Sequence, residues 1–345
     1  KSSDKERGRG RGYRGGVTLP SLMHRIRRAV RGLSGRRRSV PPVAARRYPP
    51  HFRVARPPAP IEGPWPEPPR IEDPIAFATP PAPELPPLHY DLTLFEQLQA
   101  EYAAIDPGAN APSYDPDALD DRSRGRLTNI HERIGLAGMT ALEVGCGAGY
   151  EVWHLAHRFG CDAWGIDTDP RVGWPALSGP RVHLIEGDMA AAEALPTASF
   201  DRVLSFTVWE HIRRPVEAIG ELHRVMKPGA LAVIRANLYR GPTASHLARE
   251  IHFPFPHLLF GDDVIAEALG RAGHPARGAA WVNRLTWEQY ESAFLAAGFV
   301  IRSLSFTRYP LDETFYARFE DVLGRYPRED LERGFFQVTL EKPRG

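Results

Sequence analysis

Four short clusters of residues have the types and spacing to hold a small ligand. The first runs from Leu142 to Gly149, with Glu143 followed by glycines at 145, 147 and 149 and Cys146 between them. Alternate glycines let a backbone turn tightly and approach a ligand closely. The helix expected beyond them offers free N–H groups and a partial positive charge. Tyr150 stands where a dinucleotide fingerprint places its third glycine, and it would crowd a pyrophosphate. Glu143, just before the first glycine, suits a ligand carrying positive charge better than a diphosphate. The second cluster is Gly165-Ile166-Asp167, with Asp167 placed 22 residues after Gly145. That is where such a fold sets a carboxylate to accept both ribose hydroxyls. The third is Asp188-Met189: the acid can accept from an adenine amino group, and the thioether can lie against its ring. The fourth runs from Phe200 through Ser205 and Phe206 to Glu210-His211.

His211 can act as a general base on an acceptor hydroxyl, or it can be a structural residue at the start of a helix. Glu210 reads better as a structural or cofactor-shell carboxylate. Residues 238–283 bring a further set that includes Tyr239, His246, His252 and His257 among Pro and Phe. Aromatic and His-rich loops over a catalytic face can build a substrate pocket, or simply form a hydrophobic lid. Tyr239, His252 and His257 are the expected acceptor contacts. The His spacings match no metal motif, so no metal is expected.

These clusters need elements that bring them together. From Thr140 onward, short apolar runs alternate with helical stretches. Strands are predicted over Thr140–Val144, Ala163–Ile166, Val182–Ile185, Phe200–Phe206 and Ala230–Arg235, with helices over Tyr150–Phe159 and Pro215–Met226. That alternation implies a parallel, doubly wound sheet, and apolar runs imply strands covered on both faces. Upstream, ordered structure is expected from Tyr90, with helices over Tyr90–Ile105 and Arg124–Ile134. Downstream, a helix at Trp287–Ala297 is followed by strands at Phe299–Phe306 and Phe335–Leu340, with a helical piece near Glu313–Leu323. Residues 238–283 break the pattern and read as an insertion over the sheet's C-terminal edge.

The series resembles the class I S-adenosylmethionine (SAM)-dependent methyltransferases, especially the small-molecule group that includes ubiquinone-biosynthesis O-methyltransferases. Glu143–Gly149 is similar to that family's first motif, Asp167 to its ribose carboxylate, and Asp188-Met189 to its adenine contacts. Phe200–His211 is similar to its fourth-strand motif, Glu221–Gly229 to its helix and turn before strand five, and Ala296–Phe299 to a late junction. The resemblance implies a Rossmann-like α/β fold, a seven-stranded sheet with its last strand antiparallel, and SAM as cofactor. It places Glu143, Gly145, Cys146, Gly147, Gly149, Asp167, Asp188, Met189 and Ser205 around that cofactor and leaves His211 beside the reacting methyl. It implies a small-molecule methyl acceptor, with a hydroxyl of a sugar or secondary metabolite as the expected class. Ala230 stands where a second glycine is usual, and the insertion is longer than the family's pattern.

Composition divides the chain. Seventeen of its 44 Lys and Arg lie at or before Arg56, against two acids there, and 18 of its 34 prolines lie at or before Pro87. Residues 1–88 therefore read as a disordered basic and Pro-rich arm, and 89–345 as the methyltransferase domain. Such an arm can meet nucleic acid or an anionic membrane. The domain itself carries an acidic excess, which opposes a phosphate footprint. The sequence after the fourth strand also lacks the Pro-Pro motif of exocyclic amino methyltransferases, and no Pro-Cys nucleophile is present. A nucleic-acid methyltransferase and a silent SAM-binding interaction module are the competing readings. No apolar run reaches the length of a bilayer span. Two cysteines outside any metal or disulfide pattern suit a reducing, cytoplasmic setting.

Overall fold

The computed structural model describes residues 48–55, 59–65, 90–105 and 113–344. Runs such as Leu142–Val144 and Val203–Ser205 are buried along their length, as strands sandwiched between helices must be. They form β1 (Thr140–Val144), β2 (Asp162–Asp167), β3 (Val182–Glu186), β4 (Phe200–Phe206), β5 (Met226–Asn237), β6 (Val300–Arg308) and β7 (Arg333–Glu341). The order across the sheet is β3-β2-β1-β4-β5-β7-β6. β1 to β5 pair in parallel, and β7 runs antiparallel to both β5 and β6. The sheet expected from the resemblance is thus the one present. Its order reverses between β1 and β4, which makes the carboxyl ends of those strands the place for a ligand.

The helices are α1 (Leu92–Glu101), α2 (Pro116–Ile134), α3 (Tyr150–Phe159), α4 (Trp174–Leu177), α5 (Pro215–Val225), α6 (Pro256–Leu259), α7 (Asp262–Arg271), α8 (Trp287–Ala296), α9 (Glu313–Arg318), α10 (Glu320–Leu323) and α11 (Arg328–Glu332). Local chemistry explains several ends. Asp115 accepts from the Ala118 N–H at 2.9 Å with Pro116 in the first turn, so α2 begins two turns before the predicted Arg124. Thr286 and Gln289 close a reciprocal capping box on α8. Gly160, left-handed at φ 65°, ends α3.

The principal core lies on one side of the sheet, where Trp209, Tyr290, Phe294 and Phe336 are buried with strand residues such as Val203 and Ile234. A second core covers the opposite side, from Leu127 and Ile130 of α2 to Phe159 of α3. A third is built largely by the insertion. Leu247, Ile251, Phe253 and Phe260 pack with Phe95 and Leu98 of α1 and with Phe315 and Phe319 of the late helices. No helix is expected within 238–283, yet α6 and α7 form there. Their apolar partners lie on α1 and the late helices, far along the chain in both directions, so local periodicity carries only a weak signal.

Most of the expected arm, 1–47, 56–58 and 66–88, lies outside the described residues. Its pieces 48–55 and 59–65 correct the expected start of order at Tyr90. The Val54 N–H donates to Arg133 O at 2.7 Å, and the Ile61 N–H to Arg158 O at 2.8 Å. Trp65 sets its ring edge-on to Phe159 and His154, at 5.6 and 5.2 Å between centroids. Apolar anchors separated by prolines offer no periodicity to read, but each finds a groove on the folded domain. Among the described residues no helix is long and apolar enough to cross a membrane.

Candidate functional site

The glycine loop occupies the turn between β1 and α3. Gly145, Gly147 and Gly149 all have positive φ, at 74°, 50° and 87°. An added side-chain carbon would meet different surroundings at each. At Gly145 it would lie 2.1 Å from a methyl of Val208, whereas at Gly147 it would find nothing within 4 Å. Gly145 thus lets the loop close on the segment after β4, and Gly147 keeps open space above the loop.

Asp167, at the end of β2, reaches across to this loop. One carboxylate oxygen accepts from the Gly147 N–H at 2.8 Å and the other from the Asp169 N–H at 3.1 Å. Each oxygen keeps a lone pair for a further donor, so the acid both shapes the loop and can take ribose hydroxyls. Glu143 is buried beneath the loop, and its Oε2 has no hydrogen-bond partner among the described residues. Burial, reinforced by the nearby Glu151 carboxylate, holds its carboxyl well above the usual range. Arg126 of α2 pairs with Glu151 and lies 4.2 Å over the Phe206 ring. An orphaned buried carboxylate is costly unless a cation or donor reaches it, and the ammonium of SAM is such a group. The open space at Gly147 and the unmet Glu143 oxygen together fit that cofactor.

The other expected cofactor contacts divide by exposure. Cys146 is buried with its thiol close to Gly165, and burial keeps that thiol protonated. Met189 is buried in the principal core. Asp188 caps the short 3-10 turn Met189–Ala191 through the Ala190 N–H and receives Arg214 Nη2 at 3.0 Å. Ser205 is fully buried, and its hydroxyl donates to Val144 O at 2.9 Å, tying β4 to β1 just under the loop. Its side chain is spent on the frame, and only its backbone is left for a ligand.

Beyond β4 the chain makes a tight 3-10 turn at Trp209–His211. Thr207, a β-branched residue, stands at φ 62° before it, with its N–H donated to Arg235 O at 2.7 Å. Backbone strain of this kind persists where surroundings over-determine it. The end of the insertion braces this turn. Asn283 donates from its side chain to Trp209 O at 2.7 Å and from its backbone to Glu210 O at 2.8 Å, and the Tyr290 hydroxyl reaches Trp209 O at 3.1 Å. His211 Nδ1 donates to Trp281 O at 2.9 Å, which leaves the lone pair on Nε2. Burial lowers the affinity of this imidazole for a proton.

The structure sorts the insertion's side chains differently from the sequence. Tyr239 and His257 pair with each other: His257 Nε2 donates to Tyr239 O at 2.7 Å, with the rings 5.2 Å apart. His252 is held through its backbone N–H, which donates to the Gln99 side-chain oxygen at 3.1 Å. The imidazole that meets His211 is His246, edge-on at 4.9 Å. Sequence spacing cannot single out His246, because the fold of the insertion brings it back 35 residues to the end of β4. Arg126, Arg214, Trp281 and Asn283 carry no signal in the sequence either, since each acts through a long-range contact.

Comparison with known proteins agrees with this geometry. Residues 142–234 match a family described as a methyltransferase domain. The chain is 32% identical over 169 residues to a ubiquinone biosynthesis O-methyltransferase of Pseudomonas paraeruginosa, covering 46% of this chain and 66% of that protein. It is 36% identical over 145 residues to an uncharacterized methyltransferase of Mycobacterium avium, covering 41% and 54%. The chain thus spans less than two thirds of the length of these relatives. Among solved structures, a Haemonchus contortus phosphoethanolamine N-methyltransferase 2 bound to S-adenosylhomocysteine aligns with a TM-score of 0.42 and 18% identity, covering 65% of this chain and 52% of that one.

Proposed function

Because the chain belongs to the class I SAM-dependent methyltransferases, with SAM as cofactor, we propose that it methylates an oxygen of a small-molecule acceptor chosen by the 238–283 insertion. A hydroxyl of a sugar or secondary metabolite is the acceptor class. The observation that carries this reading is the orphaned, buried Glu143 beneath an open, left-handed glycine loop that Asp167 braces. SAM supplies a methyl group already activated on a sulfonium, so the protein's part is to align the acceptor and exclude water. Glu143 would receive the ammonium, Asp167 the ribose, and Asp188 with Met189 the adenine. Arg214 would share Asp188 with the adenine amino group. His211 can take the acceptor's proton at Nε2, since burial keeps its imidazole neutral and Trp281 O fixes its tautomer. Tyr239, His252 and His257 line the insertion that would shape the acceptor's pocket. The similarity to an O-methyltransferase supports oxygen as the accepting atom.

Isothermal calorimetry with SAM and S-adenosylhomocysteine is the first test. Both should bind with one site per chain. A folded protein that binds neither would sink the reading. Incubation of purified protein with isotopically labelled SAM and cell extract, followed by mass spectrometry, would then identify the acceptor.

A further inference from the structure

The turn after β4 and the insertion place three donors together: a carboxylate oxygen of Glu210 and one ring nitrogen each of His211 and His246, all within 4.8 Å of one another. We propose that this group is a divalent-cation site of the borderline, zinc-like class.

Three observations support it. Glu210 is 1% exposed, and neither of its carboxylate oxygens has a hydrogen-bond partner among the described residues. The Glu210 and Asn237 N–H groups and the Arg235 charge lie near it without closing a hydrogen bond, so burial still dominates and holds its carboxyl up at about 8; a cation is the group that would satisfy both oxygens at once. His211 has its Nδ1 hydrogen committed to Trp281 O, the orienting contact that metal-bound imidazoles usually carry on their second nitrogen. His246 faces it at 4.9 Å between ring centroids, and among the described residues its ring is approached by the Asn237 amide nitrogen, 3.5 Å from Nε2.

The chemistry of the donors selects the ion. Two imidazoles and one carboxylate favour Zn²⁺, Co²⁺, Fe²⁺ or Ni²⁺ over the all-oxygen preferences of Mg²⁺ and Ca²⁺. Tetrahedral ligands at about 2.1 Å from an ion stand about 3.4 Å apart, so binding would draw these three in by at most about 1.4 Å. Three protein ligands leave a fourth position for water or an acceptor oxygen. His211 then has two exclusive uses: its Nε2 takes a proton when no ion is bound, and holds the ion when one is. Cation binding itself does not depend on methyl transfer.

The test uses the full chain, dialysed against a chelator and titrated with Co²⁺ while visible d–d absorption is followed. One equivalent should bind, Zn²⁺ should displace it, and Mg²⁺ at the same concentration should not. His246→Gln should weaken Co²⁺ binding at least about tenfold. Glu210→Gln should do the same. Because Glu210 is buried, circular dichroism should accompany both variants, with His246→Gln as the decisive one if Glu210→Gln fails to fold. Calorimetry with S-adenosylhomocysteine on the metal-free protein keeps the cofactor reading separate. Absence of the absorption band in the wild type would overturn the proposal, as would equal Co²⁺ affinity in wild type and His246→Gln.

Discussion

Two alanine substitutions in one loop should fail in different ways. At Gly145, φ 74° forces an alanine into the left-handed region, which costs about 1–2 kcal/mol. Its Cβ would also lie 2.1 Å from Val208 Cγ2, and displacing that side chain adds about 1–3 kcal/mol of overpacking. Gly145→Ala should therefore lose about 2–5 kcal/mol of stability, a large share of a domain's typical margin. At Gly147, φ 50° imposes the same backbone cost, but a Cβ meets nothing within 4 Å. Gly147→Ala should lose only about 1–2 kcal/mol. Its methyl, however, would stand in the space the cofactor needs, and S-adenosylhomocysteine affinity should fall at least about tenfold, a loss of about 1.4 kcal/mol. Urea unfolding measures the first effect and calorimetry the second. If Gly147→Ala binds S-adenosylhomocysteine as the wild type does, the open space above Gly147 is not the cofactor's. If Gly145→Ala is no less stable than Gly147→Ala, Val208 yields freely and the steric argument is wrong.

Ser205→Ala should lower stability by about 1–3 kcal/mol in a denaturant melt, because the Val144 carbonyl is left buried without its 2.9 Å donor. A neutral result would mean that water replaces the hydroxyl. Both thiols should resist alkylation in the native protein at pH 8. Burial raises Cys146 well above its ordinary value and pushes Cys161 up to about 12, so the reactive thiolate is scarce. Thiol titration should find neither cysteine in the folded chain and both after denaturation. Trp65→Ala should cost about 2–3 kcal/mol by thermal melting, from lost aromatic contact with Phe159 and His154. An unchanged melting temperature would show that residues 59–65 do not hold to the domain. Asp167→Asn should weaken S-adenosylhomocysteine binding by about 1–3 kcal/mol in calorimetry, through loss of charge at the ribose and at the Gly147 N–H.

The sequence by itself determined the sheet and the glycine loop after β1. The strand at Phe200–Phe206 and the helix at Tyr150–Phe159 lie at their predicted bounds, because short apolar-rich runs and glycine boundaries are local signals. The place of Asp167 at the end of β2, against the Gly147 N–H, was legible for the same reason, from its distance along the chain from a glycine turn. Tertiary structure alone decided the rest. Ser205 became a strut because the Val144 carbonyl lies within reach of its hydroxyl. Tyr239 and His257 bonded each other, and His246 was brought to Glu210 and His211. The insertion's helices formed against α1 and the late helices, and Trp65 found a groove beside α3. None of these pairings has a period or a spacing, because each rests on contacts between residues far apart in the chain. The glycine loop and its acidic partner are therefore written locally, whereas the side-chain pairings of the insertion exist only once the chain has folded.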